Sequence, residues 1–486
     1  MRIGHSSARA LALGAGALFP LGFAPFSLWV MPLVSLAVLF ALLNWRPGFW
    51  LGWWFGLGQF GVGVSWVYVS MTVHGGASPL LGGTLTGLFA GGLALFPGLV
   101  GMGFARWQHH WPHLIGRVAL WATLWCTLEA LRSWILTGFP WLLLGHSALD
   151  SPWAGWLPWI GTYGVSALMA TTAALVVTSL QQHRWLVMAG GLLGSGLLLP
   201  PAQTTPGDTL SIALWQPMIA QAEKWTARAQ PRIIADHLRL GLPTDVALIV
   251  WPETALPMTE AEAGTLLSGI TTTLQTHDQG LLTGVLGEYD GRYTNRFIGV
   301  GAASGTYDKS RLVPFGEYVP LESLLRGLIA FFDLPMSVIV PGPEQGLFQF
   351  RGIALAPLIC YEIAYSGLAR SLSRDAEVIV TISNDTWFGA SIGPDQHLEI
   401  ARIRAAELGK PVIRATNDGL TASIDAQGRV IDQLPRFTQA VLTTTTTPHS
   451  GESFYGRAGE APLVILLVVF LTLTRQISGQ KQIDSD

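Results

Sequence analysis

The chain has 486 residues, half of them hydrophobic, and only 12% are charged, about half the share of an ordinary globular protein. A formal net charge of −3, with no basic patch, excludes nucleic acid as a partner. The two cysteines, Cys126 and Cys360, define no disulfide framework or redox compartment, and Cys126 falls inside an apolar run where a bridge to Cys360 is not expected.

Residues 1–200 carry nine charged side chains (Arg2, Arg9, Arg46, Arg106, Arg117, Glu129, Arg132, Asp150 and Arg184) and sixteen of the twenty tryptophans. A long stretch poor in charge and rich in indole points to a membrane. Apolar runs near 8–24, 28–43, 49–70, 80–104, 115–136, 161–180 and 185–200 reach or approach the length that crosses a bilayer, and an eighth covers 461–474. The N-terminus resembles a signal peptide, but further apolar segments follow, so an uncleaved first span is expected. Gly82, Gly83, Gly87, Gly91 and Gly92 set small residues on one helical face, suited to close helix packing.

With a cytoplasmic N-terminus, Arg2, Arg9, Arg46, Arg106, Arg117, Arg184, Arg475 and Lys481 collect on one side. The opposite short loops, near 25–27, 71–79 and 137–160, hold no lysine or arginine. This positive-inside bias places the segment from 201 to 457 on the outer face, the periplasm in a cell with two membranes. The expected organisation is therefore 1–200 as a membrane domain of seven transmembrane helices, 201–457 as a periplasmic domain, and 458–486 as the last transmembrane helix and a cytoplasmic tail. The chain would be a multi-pass protein of the inner membrane.

Residues 201–457 read as an α/β domain. Strand-like runs fall at 210–215, 246–251, 281–285, 297–300, 353–359, 378–382 and 412–415, with helical stretches at 222–240, 260–276 and 395–408. Strands apolar along their whole length must be covered on both faces, which predicts a layered sandwich. Pro200, Pro201, Pro206 and Gly207 mark the linker before it.

Three places in this domain carry chemistry. Cys360 ends the apolar run 353–359 and is followed at once by Tyr361 and Glu362. A thiol at a strand end suits a nucleophile, although free cysteine is also a common core residue. Glu253, in Trp251-Pro252-Glu253, is held at the tip of a strand that Pro252 ends; it is either a catalytic acid/base or a solvated loop carboxylate. Lys309, one of only four lysines, lies with Asp308, Arg311 and Glu317 among apolar and aromatic neighbours. That reads as partly buried, paired charge, serving either an active site or a structural ion-pair cluster. Together a glutamate to take the thiol proton and an ammonium to stabilise thiolate and oxyanion make a workable set.

Trp-Pro-Glu at 251–253, Lys-x-x-Leu-Val-Pro-Phe-Gly-Glu at 309–317 and Ile-Cys-Tyr-Glu at 359–362, in that order, resemble the Glu–Lys–Cys triad of the nitrilase superfamily. With membrane spans on both sides, the chain is similar to that superfamily's membrane-anchored branch, the apolipoprotein N-acyltransferases. Gly22-Phe23-Ala24-Pro25, Thr137-Gly138-Phe139-Pro140-Trp141, Ser383-Asn384-Asp385-Thr386-Trp387-Phe388-Gly389 and Thr416-Asn417-Asp418-Gly419 extend the likeness over essentially the whole chain. The resemblance implies an αββα sandwich on a membrane domain of about eight spans. It implies Glu253 as general base, Lys309 as oxyanion cation, Cys360 as nucleophile and Glu317 as a supporting acid. By the same likeness Trp225 stands at the substrate entrance, Tyr361 and Glu362 flank the nucleophile, and Arg132 is a membrane-half arginine near the outer interface.

The implied activity moves a fatty acyl chain from a membrane phospholipid, through a Cys360 thioester, to the α-amine of the diacylglyceryl-cysteine that begins an apolipoprotein. No cofactor or metal is implied; the partners are the phospholipid donor, the apolipoprotein acceptor and the membrane. A membrane-tethered amidase acting on small C–N compounds would use the same triad. Residues 325–335, with Phe331 and Phe332, read either as a lid that dips into the bilayer or as core. His109, His110 and His113 lack an acidic ligand and are read as an interfacial loop.

Overall fold

The computed structural model describes residues 4–314, 316–318, 339–343 and 345–483, with the backbone alone for 474–483. Phe331 and Phe332 lie outside the described residues, so the lid expectation finds no test. The chain forms two compact units: Met1–Tyr68, Ser78–Pro201 and Arg457–Asp486 in the first, Val69–Ala77 and Ala202–Gly456 in the second.

The first unit is an apolar helical domain. Each expected run contains a helix: His5–Leu18, Val30–Trp45, Phe49–Gly63, Pro79–Leu93 continuing as Leu95–Trp107, Leu114–Arg132, Leu157–Ser179, Arg184–Ser195 and Ala461–Ile483. Among the described residues three stretches are long and apolar enough to cross a membrane, Pro79–His110, Leu114–Arg132 and Ala154–Ser179. Val30–Trp45, Arg184–Leu198 and Ala461–Leu473 are apolar but shorter.

The tightest helix packing falls at glycines that the sequence reading did not single out. A Cβ at Gly52 would land on the carbonyl oxygen of Pro97, and one at Gly58 on that of Leu13, so the helix Phe49–Gly63 meets two neighbours backbone to backbone. Gly83, Gly87 and Gly92 face open space among the described residues. Arg132 and Glu129 anchor the chain that follows their helix. Arg132 Nη1 donates to the carbonyls of Phe139 (2.7 Å) and Trp141 (2.6 Å), and Glu129 Oε1 accepts from the Leu144 amide at 2.8 Å.

The two large sheets of the second unit contain, in chain order, β1 (Leu210–Gln216), β2 (Leu248–Val250), β3 (Gly280–Tyr289), β4 (Arg292–Gly301), β5 (Ala303–Ser304), β6 (Thr306–Asp308), β7 (Phe348–Phe350), β8 (Ile353–Ile359), β9 (Val378–Ser383), β10 (Val412–Thr416), β11 (Ala422–Ile424), β12 (Val430–Gln433) and β13 (Ala440–Thr446). One sheet runs β13-β1-β2-β3-β4-β6, the other β12-β11-β10-β9-β8-β7-β5. Within them β1, β2 and β3 are parallel, as are β8, β9 and β10.

Period-two alternation explains the layers. Ile212, Leu214, Leu248, Val250, Leu282 and Phe297 of the first sheet meet Phe348, Leu355, Ile359, Val380, Ile382 and Ile413 of the second in one core. Their neighbours Ala213, Trp215, Ile249, Trp251, Leu281 and Ile298 turn outward to Ala263, Ile270 and Leu274 of the helix Glu260–Gln275. Helices Ser366–Ser373 and Gly393–Leu408 pack on the second sheet. The unit is an αββα sandwich.

Local chemistry explains where elements stop. The helical reading of 222–240 breaks into Gln221–Lys224 and Gln230–Leu240, because Pro231 fits a first helical turn but not an interior one. Pro357 sits inside β8, where proline is rare; β7 pairs only as far as Leu355, so at Pro357 the strand has β9 as its one neighbour. The threonines at 443–446 are strand, paired with β1, as β-branched residues favour. Val69–Ala77 joins this unit: Ser70 Oγ donates to the Trp387 carbonyl at 2.7 Å, and the His74 ring stands 5.8 Å from the Trp387 ring.

Outside the first sheet, His237 is wholly buried between Trp215 and Trp251 and its Nδ1–H donates to the Ile233 carbonyl at 2.7 Å. Burial pushes its pKa down to about 4 from 6.5. The unfolded chain therefore takes up this proton below pH 6.5 while the folded chain refuses it until about pH 4. Stability from His237 is complete above pH 6.5 and falls as pH drops to 4, by at most about 3 kcal/mol. Thermal unfolding of the full chain between pH 4 and 7 should show this slope, and His237→Phe should flatten it.

Candidate active site

The residues expected to carry chemistry cluster because parallel strands deliver their C-terminal ends to one edge, where α/β sheets hold ligands. Glu253 follows β2, Lys309 follows β6, Cys360 follows β8, Asn384 follows β9 and Asn417 follows β10. Glycine makes room at one point: a Cβ on Gly284 would collide with the Thr254 amide and come within 3.0 Å of the Glu253 backbone, so the turn carrying Glu253 can lie flat on β3.

Glu253 and Lys309 are both buried. Lys309 Nζ lies 3.3 Å from Glu253 Oε1 and 2.9 Å from Glu317 Oε1, one ammonium between two carboxylates. Asn295 Nδ2 bridges the same acids, donating at 2.7 Å to Glu253 and 3.1 Å to Glu317. Glu253 Oε2 accepts the Asn384 amide at 2.7 Å, and Glu317 Oε2 accepts that of Val313 at 2.8 Å. Lys224, also buried, donates Nζ to the Glu253 carbonyl at 3.0 Å. Burial alone would raise the Glu253 pKa, but Lys309, Asn295, Lys224 and the Asn384 amide outweigh it and hold the carboxyl below its usual range. Burial also opposes charge on Lys309, yet the two carboxylates lift its pKa well above the ordinary value. The resting site is carboxylate–ammonium–carboxylate.

Cys360 occupies the left-handed region, φ +55°, where a non-glycine residue stores about 1 kcal/mol. It opens a 3₁₀ turn, Cys360–Ala364, that projects the thiol from the end of β8. Burial, then the nearby Glu253 carboxylate, push the thiol pKa up to about 12 against the opposing Lys309 ammonium. The thiol is protonated at rest.

Glu362 holds this turn to the Lys309 loop. Its Oε1 accepts the Ser310 amide (2.7 Å), the Arg311 amide (3.0 Å), Ser310 Oγ (3.0 Å) and the Tyr307 hydroxyl (2.9 Å), while Oε2 accepts the Ile359 amide at 2.9 Å. One buried carboxylate thus ties the residue before the nucleophile to the two residues after Lys309. Tyr361 is mostly buried, its ring edge-on to Tyr365 at 5.2 Å. Trp225 caps the short helix that carries Lys224, and its indole N–H is buried with no hydrogen-bond partner among the described residues. Arg132 belongs to the first unit, where it holds the Phe139 and Trp141 carbonyls.

Sequence reading missed Asn295, Lys224 and a second buried network, in which Asp385 accepts from Ser383 Oγ (2.7 Å) and Arg414 Nη2 (2.6 Å) and meets His397 Nδ1 at 3.1 Å. A signal for Asn295 existed: Thr294-Asn295-Arg296 is a polar run set directly before the apolar end of β4.

Residues 211–454 match the carbon-nitrogen hydrolase family, and the αββα sandwich is of that class. A carbon–nitrogen hydrolase superfamily protein from Xanthomonas campestris, 19% identical, aligns over 49% of this chain and 91% of its own with a TM-score of 0.36. Residues 15–175 match the apolipoprotein N-acyltransferase N-terminal domain. Apolipoprotein N-acyltransferase of Pseudomonas aeruginosa PAO1 is 43% identical over 97% of both chains, and that of Azotobacter vinelandii 43% over 95% of this chain and 93% of its own. The chain belongs to the apolipoprotein N-acyltransferase family.

Glu362→Gln replaces one accepting oxygen by a donor that must face an amide or hydroxyl donor. Losing accepted bonds in a fully buried position should lower stability by about 2–3 kcal/mol. Calorimetry of the full chain measures this, and Glu362→Asp, which keeps the charge but shortens the reach, should fall between.

Proposed function

We propose that this acyltransferase takes a fatty acyl chain from a membrane phospholipid and delivers it to the α-amine of the N-terminal diacylglyceryl-cysteine of an apolipoprotein. The observation that carries the reading is the pairing of Glu253 and Lys309 beside Cys360 on a chain whose first half matches the N-acyltransferase domain. That match also favours it over a membrane-tethered amidase, which needs the triad alone.

In the first half-reaction Cys360 Sγ attacks the ester carbonyl as Glu253 takes the thiol proton. With the thiol pKa held near 12, the proton leaves as the carbon–sulfur bond forms rather than beforehand. The developing oxyanion is held by the Lys309 ammonium and the Tyr361 backbone N–H; losing one such donor typically costs ~3 kcal/mol. The tetrahedral intermediate collapses, the lysophospholipid oxygen leaves with the proton from Glu253, and a thioester remains. In the second half the α-amine attacks the thioester, Glu253 takes the amine proton and returns it to the departing Cys360 sulfur, and an amide is formed. Glu317 and Asn295 keep Lys309 and Glu253 charged and in register, and Glu362 sets the nucleophile turn. Trp225 and Tyr361 border the acyl and acceptor chains, and Arg132 shapes the membrane half near the outer interface.

The cellular setting follows from charge. Eight spans, with the short basic loops in the cytoplasm, carry residues 201–457 on the periplasmic side of an inner membrane. Holding the site beside the bilayer raises the effective concentration of two lipid-anchored substrates.

Incubation with phospholipid alone, followed by mass spectrometry, should find an acyl adduct on Cys360, absent in Cys360→Ser. Adding a diacylglyceryl-cysteine peptide should discharge it in ping-pong fashion. Glu253→Gln and Lys309→Met should each slow adduct formation at least ~100-fold. No adduct on the wild-type chain under turnover conditions refutes the reading.

A further inference from the structure

Cys360 is gripped on both sides of its strained turn. Glu362 holds the Ile359 amide before it, and on the other side His397 Nε2 lies 3.1 Å from the Cys360 carbonyl oxygen. A carbonyl only accepts, so Nε2 carries the hydrogen. His397 is buried on the helix Gly393–Leu408, and its other nitrogen faces Arg414 Nη2 at 3.1 Å, a group that only donates. Nδ1 also stands 3.1 Å from Asp385 Oδ1, so this side of the ring is held between the Asp385 carboxylate and the Arg414 guanidinium. Arg414 in turn donates to Asp385 Oδ2 at 2.6 Å, which fixes the guanidinium. Burial and the Arg414 charge lower the His397 pKa against the opposing Asp385 carboxylate.

The carbonyl that His397 holds belongs to the peptide joining Cys360 to Tyr361. In a planar trans peptide the C=O and N–H point in opposite directions. Fixing the oxygen toward His397 therefore aims the Tyr361 N–H the other way, and a hydrogen bond to the oxygen also polarises that N–H. The mechanism above gives this N–H to the oxyanion.

We propose that His397 is a positioning residue for the oxyanion hole: by donating to the Cys360 carbonyl it sets the direction of the Tyr361 N–H, and Asp385 with Arg414 holds the ring in place from its other nitrogen. The proposal rests on Cys360 being the acylated nucleophile. No charge or atom moves through His397, which acts on the transition state through a single peptide plane.

The test separates reactions of Cys360 that build an oxyanion from those that do not. Acylation by a p-nitrophenyl fatty ester passes through a tetrahedral oxyanion, and its burst of p-nitrophenolate reads the first half-reaction without a phospholipid. Alkylation by iodoacetamide is a displacement at carbon and forms none. His397→Phe keeps the ring shape and removes the donor; His397→Gln restores an N–H at similar reach. Acylation should fall ~100-fold or more in His397→Phe, in the rate constant rather than in KM, and recover to within ~10-fold of wild type in His397→Gln. Alkylation should stay within ~3-fold of wild type in both. Equal acylation in all three chains, parallel loss of acylation and alkylation, or a His397→Gln chain as slow as His397→Phe overturns the proposal. If His397→Phe does not fold, His397→Asn, one methylene shorter than glutamine, replaces it with the same expectation. A wild-type chain acylated by the activated ester but not by phospholipid would remove the lipid donor and leave the His397 comparison decisive.

Discussion

One buried ammonium organises the second unit. Lys309, 1% exposed, sits between Glu253 and Glu317, and without them the desolvated charge would lose several kcal/mol or its proton. Each carboxylate is committed elsewhere as well, Glu253 to the amide that ends β9 and Glu317 to Val313. The charge cluster is therefore also a mechanical joint. It pins the ends of β2, β6 and β9, from both sheets, to one point, and the thiol is presented to that point by a turn that Glu362 ties to the Lys309 loop.

Such an arrangement explains why the thiol is not ionised in advance. Burial raises the Cys360 pKa, and an ammonium shared by two carboxylates has no positive charge left over to stabilise a resting thiolate. On the proposed reaction the thiol stays neutral until a carbonyl arrives, and the charge then created falls where donors already point. Pre-set donors cost no reorganisation at that moment, which is why the direction of a single peptide plane matters.

How much was legible in the sequence depended on distance along the chain. Glu253 and Cys360 were visible because each stands at the end of an apolar run, with Pro252 announcing the end of β2, and Lys309 because one of only four lysines lies among apolar and aromatic neighbours. The sandwich was visible because strands buried on both faces need unbroken apolar runs. His397 was not, since a helix bearing Glu399, Arg404 and Glu407 reads as exposed, although all of these are buried here. Asn295 was passed over because its partners, Glu253 and Glu317, lie 42 and 22 residues away. Pro231 splitting the helical reading of 222–240 was a local signal that was overlooked. In the first unit, apolar length was readable but packing was not: Gly52 and Gly58 make close backbone contacts while Gly83, Gly87 and Gly92 face open space among the described residues, because which face of an all-apolar helix meets a neighbour leaves no mark in composition.

The short segment Val69–Ala77 gives the molecule a built-in order of completion. Ser70 is bonded to Trp387 across 317 residues of sequence, on the turn whose first amides include the one that grips Glu253. On a growing chain Ser70 is made early and waits for its partner until most of the polypeptide exists. The turn therefore cannot take this hydrogen bond until the chain has grown past Trp387, and a chain cut off short of it cannot make the bond. Ordering of that kind makes one short turn depend on two stretches of sequence separated by most of the polypeptide.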